Sequence, residues 1–274
     1  MGILLILFSA LMLSSVLGET LRFEILKGAF IKPIDILVFL TALFWFVKKI
    51  MLGKTKAIYK DSLFVPIVLF FIVGLFSLII NVKNLSIGEF FISFTYALRW
   101  ILYGVIYFVV KDLFSKNSRN ILWLTAICGS LILILGFIQY FFYSNLSNLY
   151  YLGWDEHMHR LFSVYLDPNF AGSFFVLFLI FVSGVTLYFV KNKQKKLYPI
   201  FCLLGTISLA AVYLTYSRSA LIMLIVSAIV FLFLFKKMKW ILFLIVISIL
   251  FFAISSRSFN TENINPFKIG RAHV

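Results

Sequence analysis

Hydrophobic residues occupy this chain in long runs that are separated by short polar segments. A helix of about 20 apolar residues crosses ~30 Å of hydrocarbon, so each run predicts a membrane-spanning helix. The alternation of apolar and polar residues that a transmembrane barrel requires is not the pattern here. We delimit nine candidate spans, at 2–18, 29–47, 62–81, 89–110, 120–143, 168–190, 198–216, 219–235 and 240–254. The pattern therefore predicts an all-α, polytopic membrane protein.

Composition and charge support this class and orient the helices. Hydrophobic residues make up 63% of the chain and charged residues 13%, whereas soluble proteins carry about 25% charged residues. Fifteen of the 25 basic residues lie in four linkers, at 48–61, 111–119, 191–196 and 236–239. The positive-inside rule places these linkers and the N-terminus in the cytoplasm. The outer side then holds 19–28, 82–88, the long segment 144–167, the turn at 217–218 and the tail from 255. The net charge of +15 is thus an orientation signal, and we expect a lipid bilayer and no nucleic acid as partner.

The chain divides into four parts by its spans. Residues 1–157 hold the first five helices and the start of an outer loop, and residues 158–254 hold helices six to nine. The first run could alternatively be a signal peptide, although no basic residue precedes it. Residues 255–268 begin an external segment, and Ile269–Val274 match the translation of a common sequencing adapter. We therefore expect 269–274 to be an artefact and the natural chain to continue beyond Lys268.

Three residues at the start of the sixth span could carry chemistry. Asp167 followed by Pro168 and Asn169 is typical of a helix start. The Asp167 side chain can accept hydrogen bonds from the first N–H groups, and Pro168 has no N–H that would need an acceptor. The positive end of this helix would face outward as an anion site. The alternative is that the three residues only begin the helix.

Arginines supply the second feature of the outer side. Arg218 follows Ser217 in a tight turn between the seventh and eighth spans, and Arg160 lies shortly before Asp167. A guanidinium group suits bidentate contact with phosphate. Arg218 could alternatively anchor helix ends at headgroup depth.

A third feature lies inside the membrane, where Arg99 occupies the middle of the fourth span. A charge at that depth requires a partner or a wet cavity. Asp35 enters the second span from the same side, so we expect a structural Asp35–Arg99 pair rather than direct catalysis. His157 and His159, spaced i, i+2 without a third ligand, do not predict a metal site.

Taken in order, these motifs resemble a known family. Arg160, Asp167-Pro168-Asn169, a lysine-rich linker and then Tyr216-Ser217-Arg218-Ser219-Ala220 are similar to the O-antigen ligase and polymerase family of bacterial membrane glycosyltransferases. Ser219 stands where glycine is common in that family. The resemblance covers mainly 158–225.

The resemblance implies an inverting, metal-independent and cofactor-free transfer. Such enzymes move a glycan from a polyprenyl-diphosphate carrier to an acceptor hydroxyl of a glycan, lipid or protein, on the outer face of the inner membrane. It implies that Arg160 and Arg218 act catalytically on the diphosphate, and that Asp167, Pro168, Asn169 and Ser217 bind substrate. The family's histidine base would lie in an external loop after residue 268. A lipid-linked oligosaccharide flippase or another transporter, or a structural envelope subunit, remain alternatives.

Overall fold

The structure, a computed structural model, describes residues 2–26, 29–191, 193 and 197–234. The predicted ninth span at 240–254, the external segment 255–268, the last six residues and the fourth basic linker lie outside the described residues. The chain forms two compact units, Met1–Ala171 and Gly172–Val274. The contacts divide the chain inside its sixth long apolar run, whereas the sequence places the boundary after residue 157.

The described part of the chain is largely helical, as the hydrophobic pattern predicts. Its helices are α1 (Gly2–Ser15), α2 (Pro33–Met51), α3 (Lys56–Tyr59), α4 (Phe64–Ile80), α5 (Ile87–Phe142), α6 (Pro168–Lys191), α7 (Tyr198–Leu214) and α8 (Arg218–Leu234). Helices α5 and α6 are long and apolar enough to cross a membrane. Helices α1, α4, α7 and α8 are also apolar but only 10–17 residues long.

Helix α5 contains the predicted fourth and fifth spans together. Its 56 residues would extend about 84 Å in a straight helix, well beyond the ~30 Å of a bilayer core. Asn117 interrupts the helix with φ −134° and ψ 34°, within the predicted linker 111–119. The expected linker is therefore helical on both sides of a single non-helical residue, and not a loop.

A small β hairpin precedes α2 and corrects the predicted start of the second span. Strands β1 (Phe23–Leu26) and β2 (Ala29–Ile31) pair antiparallel, so the apolar residues from 29 form a strand before they form a helix. Helix α2 begins only at Pro33, because a residue before proline disfavours helical backbone while proline suits the first helical position. Asp35 Oδ2 accepts a hydrogen bond from the Lys32 N–H at 3.0 Å and completes this start.

The core of the first unit lies where α1, α2 and α5 meet. Leu4 and Phe8 of α1 are buried against Trp45 of α2 and against Phe108 and Val109 of α5. Trp45 and Phe108 stack with their ring centroids 6.0 Å apart. In lipid, close packing of this kind, and not exclusion of water, holds helices together.

Ion pairs and hydrogen bonds define two ends of the first unit. At one end Lys49 Nζ lies 2.7 Å from Asp112 Oδ2, and Lys111 pairs with Asp61. At the other end the Glu19 N–H donates to the Val164 carbonyl at 2.7 Å. The two basic linkers 48–61 and 111–119 therefore share one end, and the predicted outer segments 19–28 and 144–167 share the other.

Candidate functional site

Gln139 organises the outer segment of the first unit. Its Oε1 accepts hydrogen bonds from the N–H groups of Phe162 at 2.8 Å and Ser163 at 3.0 Å. Its Nε2 donates to the Arg160 carbonyl at 3.2 Å. The sequence analysis does not single out Gln139. The sequence feature that could have indicated Gln139 is its side-chain amide inside an apolar span, because a polar side chain in lipid needs a partner.

The segment Leu161–Val164 is buried inside the first unit. Ser163 Oγ donates to the Ile132 carbonyl at 2.8 Å, and Ile132 precedes the end of α5 at Phe142 by roughly 15 Å of helix. Irregular backbone at membrane depth is tolerated only where protein surrounds it. The sequence predicts an outer loop at 144–167, but this part of the loop re-enters the helical core.

Backbone strain is concentrated in the same loop. His157, His159, Ser163 and Leu166 all have left-handed backbones, with φ of 46°, 50°, 52° and 55°. Each such non-glycine residue costs of order 1–3 kcal/mol and persists only where surrounding contacts enforce it, often at functional sites. Among the described residues no group of three or more His, Cys, Asp or Glu side chains could hold a metal ion.

Arg160 is a half-buried cation within this strained loop. Burial lowers the pKa of its guanidinium, and the negative charge of Asp167 opposes that effect. Burial and the charge of Arg160 lower the pKa of His157. A guanidinium stays protonated under all ordinary conditions, so the positive charge at this place belongs to Arg160 and not to His157.

Asp167 begins α6 as the sequence predicts. Asp167 Oδ1 accepts from the N–H groups of Asn169 at 2.6 Å and Phe170 at 3.1 Å, and α6 starts at Pro168. These bonds also correct one expectation. The first N–H groups of α6 already have an anion, the Asp167 carboxylate, so this helix end is not by itself an open anion site.

In the second unit, the turn between α7 and α8 buries Ser217 and exposes Arg218. The Ser217 side chain is 1% exposed, and its Oγ accepts from the Ala220 N–H at 3.2 Å. The Ser217 hydroxyl is thus buried and caps the start of α8, and its contact with substrate stays a prediction. Arg218 is the first residue of α8 and is exposed.

Gly172 brings α6 against that turn. A Cβ atom at Gly172 would lie 2.6 Å from the Cβ of Ala220 and 3.0 Å from the Oγ1 of Thr215. Only a residue without a side chain permits this approach. The second unit therefore packs α6, close to its first residues, against the turn that carries Arg218. Arg160 belongs to the first unit.

The structure contains the Asp35–Arg99 pair. Arg99 Nη2 lies 3.0 Å from Asp35 Oδ2 and donates to the Phe30 carbonyl at 2.8 Å. The Tyr103 hydroxyl donates to Asp35 Oδ1 at 3.1 Å. Arg99 is thus satisfied by the hairpin and by the start of α2, which is a structural arrangement.

Comparisons with known proteins add nothing to these observations: no protein family, no curated protein and no solved structure matches the chain.

Proposed function

We propose that this chain belongs to a polytopic glycosyltransferase of the bacterial cytoplasmic membrane. It would transfer a glycan from a polyprenyl-diphosphate carrier to an acceptor hydroxyl at the outer face, as O-antigen ligases and polymerases do. The observation that carries the proposal is the position of Arg218. It is exposed as the first residue of α8, and Gly172 packs against its neighbours Thr215, Ser217 and Ala220.

Electrostatics support an anionic ligand at Arg218. The first turn of a helix carries partial positive charge, which favours an anion close to the exposed Arg218. Arg160 supplies a second, partly desolvated guanidinium among the residues of the predicted outer side. A polyprenyl diphosphate carries two phosphate groups at the membrane surface, and guanidinium groups bind phosphate bidentately.

The nine-span topology and the inner-membrane location are part of the proposal. Along α4, Val73, Phe76 and Ile79 are each 64% exposed. Apolar surface of this extent is unfavourable in water and suits contact with lipid. The shared end of the linkers 48–61 and 111–119, both basic, supports the predicted orientation.

In the reaction, the bond between the anomeric carbon and the diphosphate oxygen breaks, and the lipid diphosphate leaves with the electron pair. The acceptor oxygen forms its bond to the same carbon from the opposite face, so the configuration inverts. The acceptor proton goes to a general base, expected in the external loop beyond the described residues. Arg160 and Arg218 would stabilise the charge that develops on the diphosphate.

The test is glycan transfer in a deletion strain complemented with the full-length gene. Arg218→Ala and Arg160→Ala should each lower transfer about 10²-fold, as the loss of one oxyanion-type donor does. Arg→Lys at either position should also lower transfer, because the ammonium group lacks the planar fork. Arg119→Ala is the matched control, since Arg119 is exposed and lies in the predicted cytoplasmic linker. Normal transfer by both alanine variants at normal membrane abundance would refute the proposal.

A transporter of lipid-linked oligosaccharides is the second candidate, and the buried segment Leu161–Val164 favours it. Transporters often place their binding sites at irregular backbone near the bilayer midplane. The two functions differ in where the donor accumulates when the gene is deleted. A transferase predicts accumulation of the lipid-linked glycan in the outer leaflet, and a transporter predicts accumulation in the inner leaflet.

A further inference from the structure

A cavity of about 650 Å³ opens in the first unit between the β hairpin, the outer end of α5 and the loop before α6. Its volume falls within the ~300–1,000 Å³ that is usual for ligand sites. One wall is apolar and includes Leu135 and Ile138 of α5. The polar wall holds the charged residues Glu19, Arg22 and Glu24, and the aromatic residues of the lining are Phe30, Tyr143, Trp154 and Phe162.

Arg22 holds the polar wall together. Its guanidinium carbon lies 4.4 Å from the centroid of the Phe30 ring and 4.6 Å from that of Trp154. This cation–π arrangement joins the hairpin to the loop that carries Trp154. The hairpin is itself fixed, because the Phe30 carbonyl accepts from Arg99 at 2.8 Å. The aromatic part of the wall is therefore preorganised.

The charges of the cavity argue against a phosphate ligand. Two carboxylates, those of Glu19 and Glu24, line it together with one guanidinium, that of Arg22. Glu19 also pairs with Lys32. Since Lys32 neutralises Glu19 and the charges of Glu24 and Arg22 balance, an anionic group would meet no excess of positive charge. A neutral group rich in hydroxyls would find acceptors for its hydrogen bonds.

We infer that this cavity binds sugar units of the glycan. Sugar hydroxyls donate to the two carboxylates, and the C–H face of a pyranose ring packs on the exposed part of the Trp154 ring. The apolar wall suits the less polar faces of the sugar or the adjoining lipid. This inference deepens the proposed function, on which the choice of a glycan rests, and it separates sugar recognition from the diphosphate contacts of Arg160 and Arg218.

The experiment is photo-crosslinking in the native host with the full-length chain. The photoreactive amino acid p-benzoylphenylalanine is introduced at Leu152, which lines the cavity and is 50% exposed. The control position is Tyr59, which is 63% exposed and lies in the predicted cytoplasmic linker 48–61. After irradiation, the protein is purified and any adduct is detected by periodate oxidation with hydrazide staining and by mass. We expect a carbohydrate-bearing adduct at Leu152 and none at Tyr59.

Second-site variants connect the adduct to the cavity. Trp154→Ala and Glu24→Gln should each lower the adduct yield at Leu152 at least tenfold. Tyr151→Ala should leave it unchanged, because Tyr151 is 79% exposed and does not line the cavity. Membrane abundance and thermal stability are measured for each variant. If Trp154→Ala is unstable, Glu24→Gln alone tests whether the adduct depends on the cavity.

The possible outcomes separate the two proposals. An adduct that carries lipid without sugar, or no adduct at Leu152, would overturn the cavity inference. A sugar adduct that persists while Arg160→Ala and Arg218→Ala transfer normally would retain the sugar site and refute the transferase. Loss of transfer in those two variants, together with no sugar adduct at Leu152, would support the transferase and refute the sugar site.

Discussion

Gln139 shows how one polar side chain can determine the course of a loop beside apolar helices. Both ends of its amide are used, the oxygen by the N–H groups of Phe162 and Ser163 and the nitrogen by the Arg160 carbonyl. Phe162 and Ser163 are buried, so no water can replace these bonds. The course of the loop that carries Arg160 therefore depends on the Gln139 amide, which holds the Arg160 carbonyl.

Gln139→Leu should consequently destabilise the protein and lower glycan transfer. Each buried N–H group left without an acceptor costs about 1–3 kcal/mol, and the loop that carries Arg160 would lose its anchor. Thermal unfolding in detergent measures the first effect and complemented transfer the second. Thr186→Val is the control, because the Thr186 hydroxyl bonds only to the Val182 carbonyl of its own helix. Equal melting temperatures for Gln139→Leu and the native chain would contradict this account.

Among the helices, α5 and α6 illustrate different ways in which a span is bounded. Helix α6 starts at a local signal, the Asp167 carboxylate and Pro168, and its start agrees with the prediction. Helix α5 continues through the predicted linker 111–119 with one non-helical residue, Asn117. Residues with good helix propensity, such as the lysines of that linker, do not end a helix by themselves.

The close approach of α6 to the α7–α8 turn gives a test at Gly172. Gly172→Ala should lower thermal stability and transfer, because its Cβ would lie 2.6 Å from that of Ala220 and both backbones would have to move. Gly184→Ala in the same helix is the matched control, since a Cβ there meets no atom within 4 Å. That control should be neutral or stabilising by up to ~1 kcal/mol, because alanine favours helix over glycine. A stable, active Gly172→Ala variant would disprove the packing.

At the scale of the whole first unit, the distribution of charge and the observed contacts agree on two ends. The pairs Lys49–Asp112 and Lys111–Asp61 lie at the end with the basic linkers. The hairpin, the buried segment Leu161–Val164 and the cavity lie at the other end, where α2 starts beside Arg99. The predicted outer half of the first unit is thus built partly of irregular backbone that protein surrounds, which is the condition for such backbone within a bilayer.

This arrangement predicts the sidedness of the chain. A reporter that is active only in the cytoplasm should be active when fused after Lys56 or Lys116 and inactive when fused after Ser147. The reason is the concentration of lysine and arginine in the first two linkers. Fusion after Lys195, outside the described residues, should also be active. Opposite activities at Lys56 and Ser147, with equal amounts of fusion protein, would contradict this orientation. Arg160 and Arg218 would then lie on the cytoplasmic side.

The sequence by itself determined the helical class, most helix bounds and the start of α6. These features depend on hydrophobic length and on capping by neighbours in the chain, which a local pattern contains. It also indicated the Asp35–Arg99 pair, because a charge within an apolar span demands a partner.

The tertiary structure alone decided the hairpin, the buried segment and the role of Gln139. Their backbone groups are satisfied by partners far away in the chain, such as Ser163 with Ile132 and Glu19 with Val164. A segment bound in this way needs no periodic pattern of its own, so its sequence resembles that of an ordinary loop. Ser217 and Gly172 follow the same rule, since burial and close helix approach depend on elements brought together only by folding.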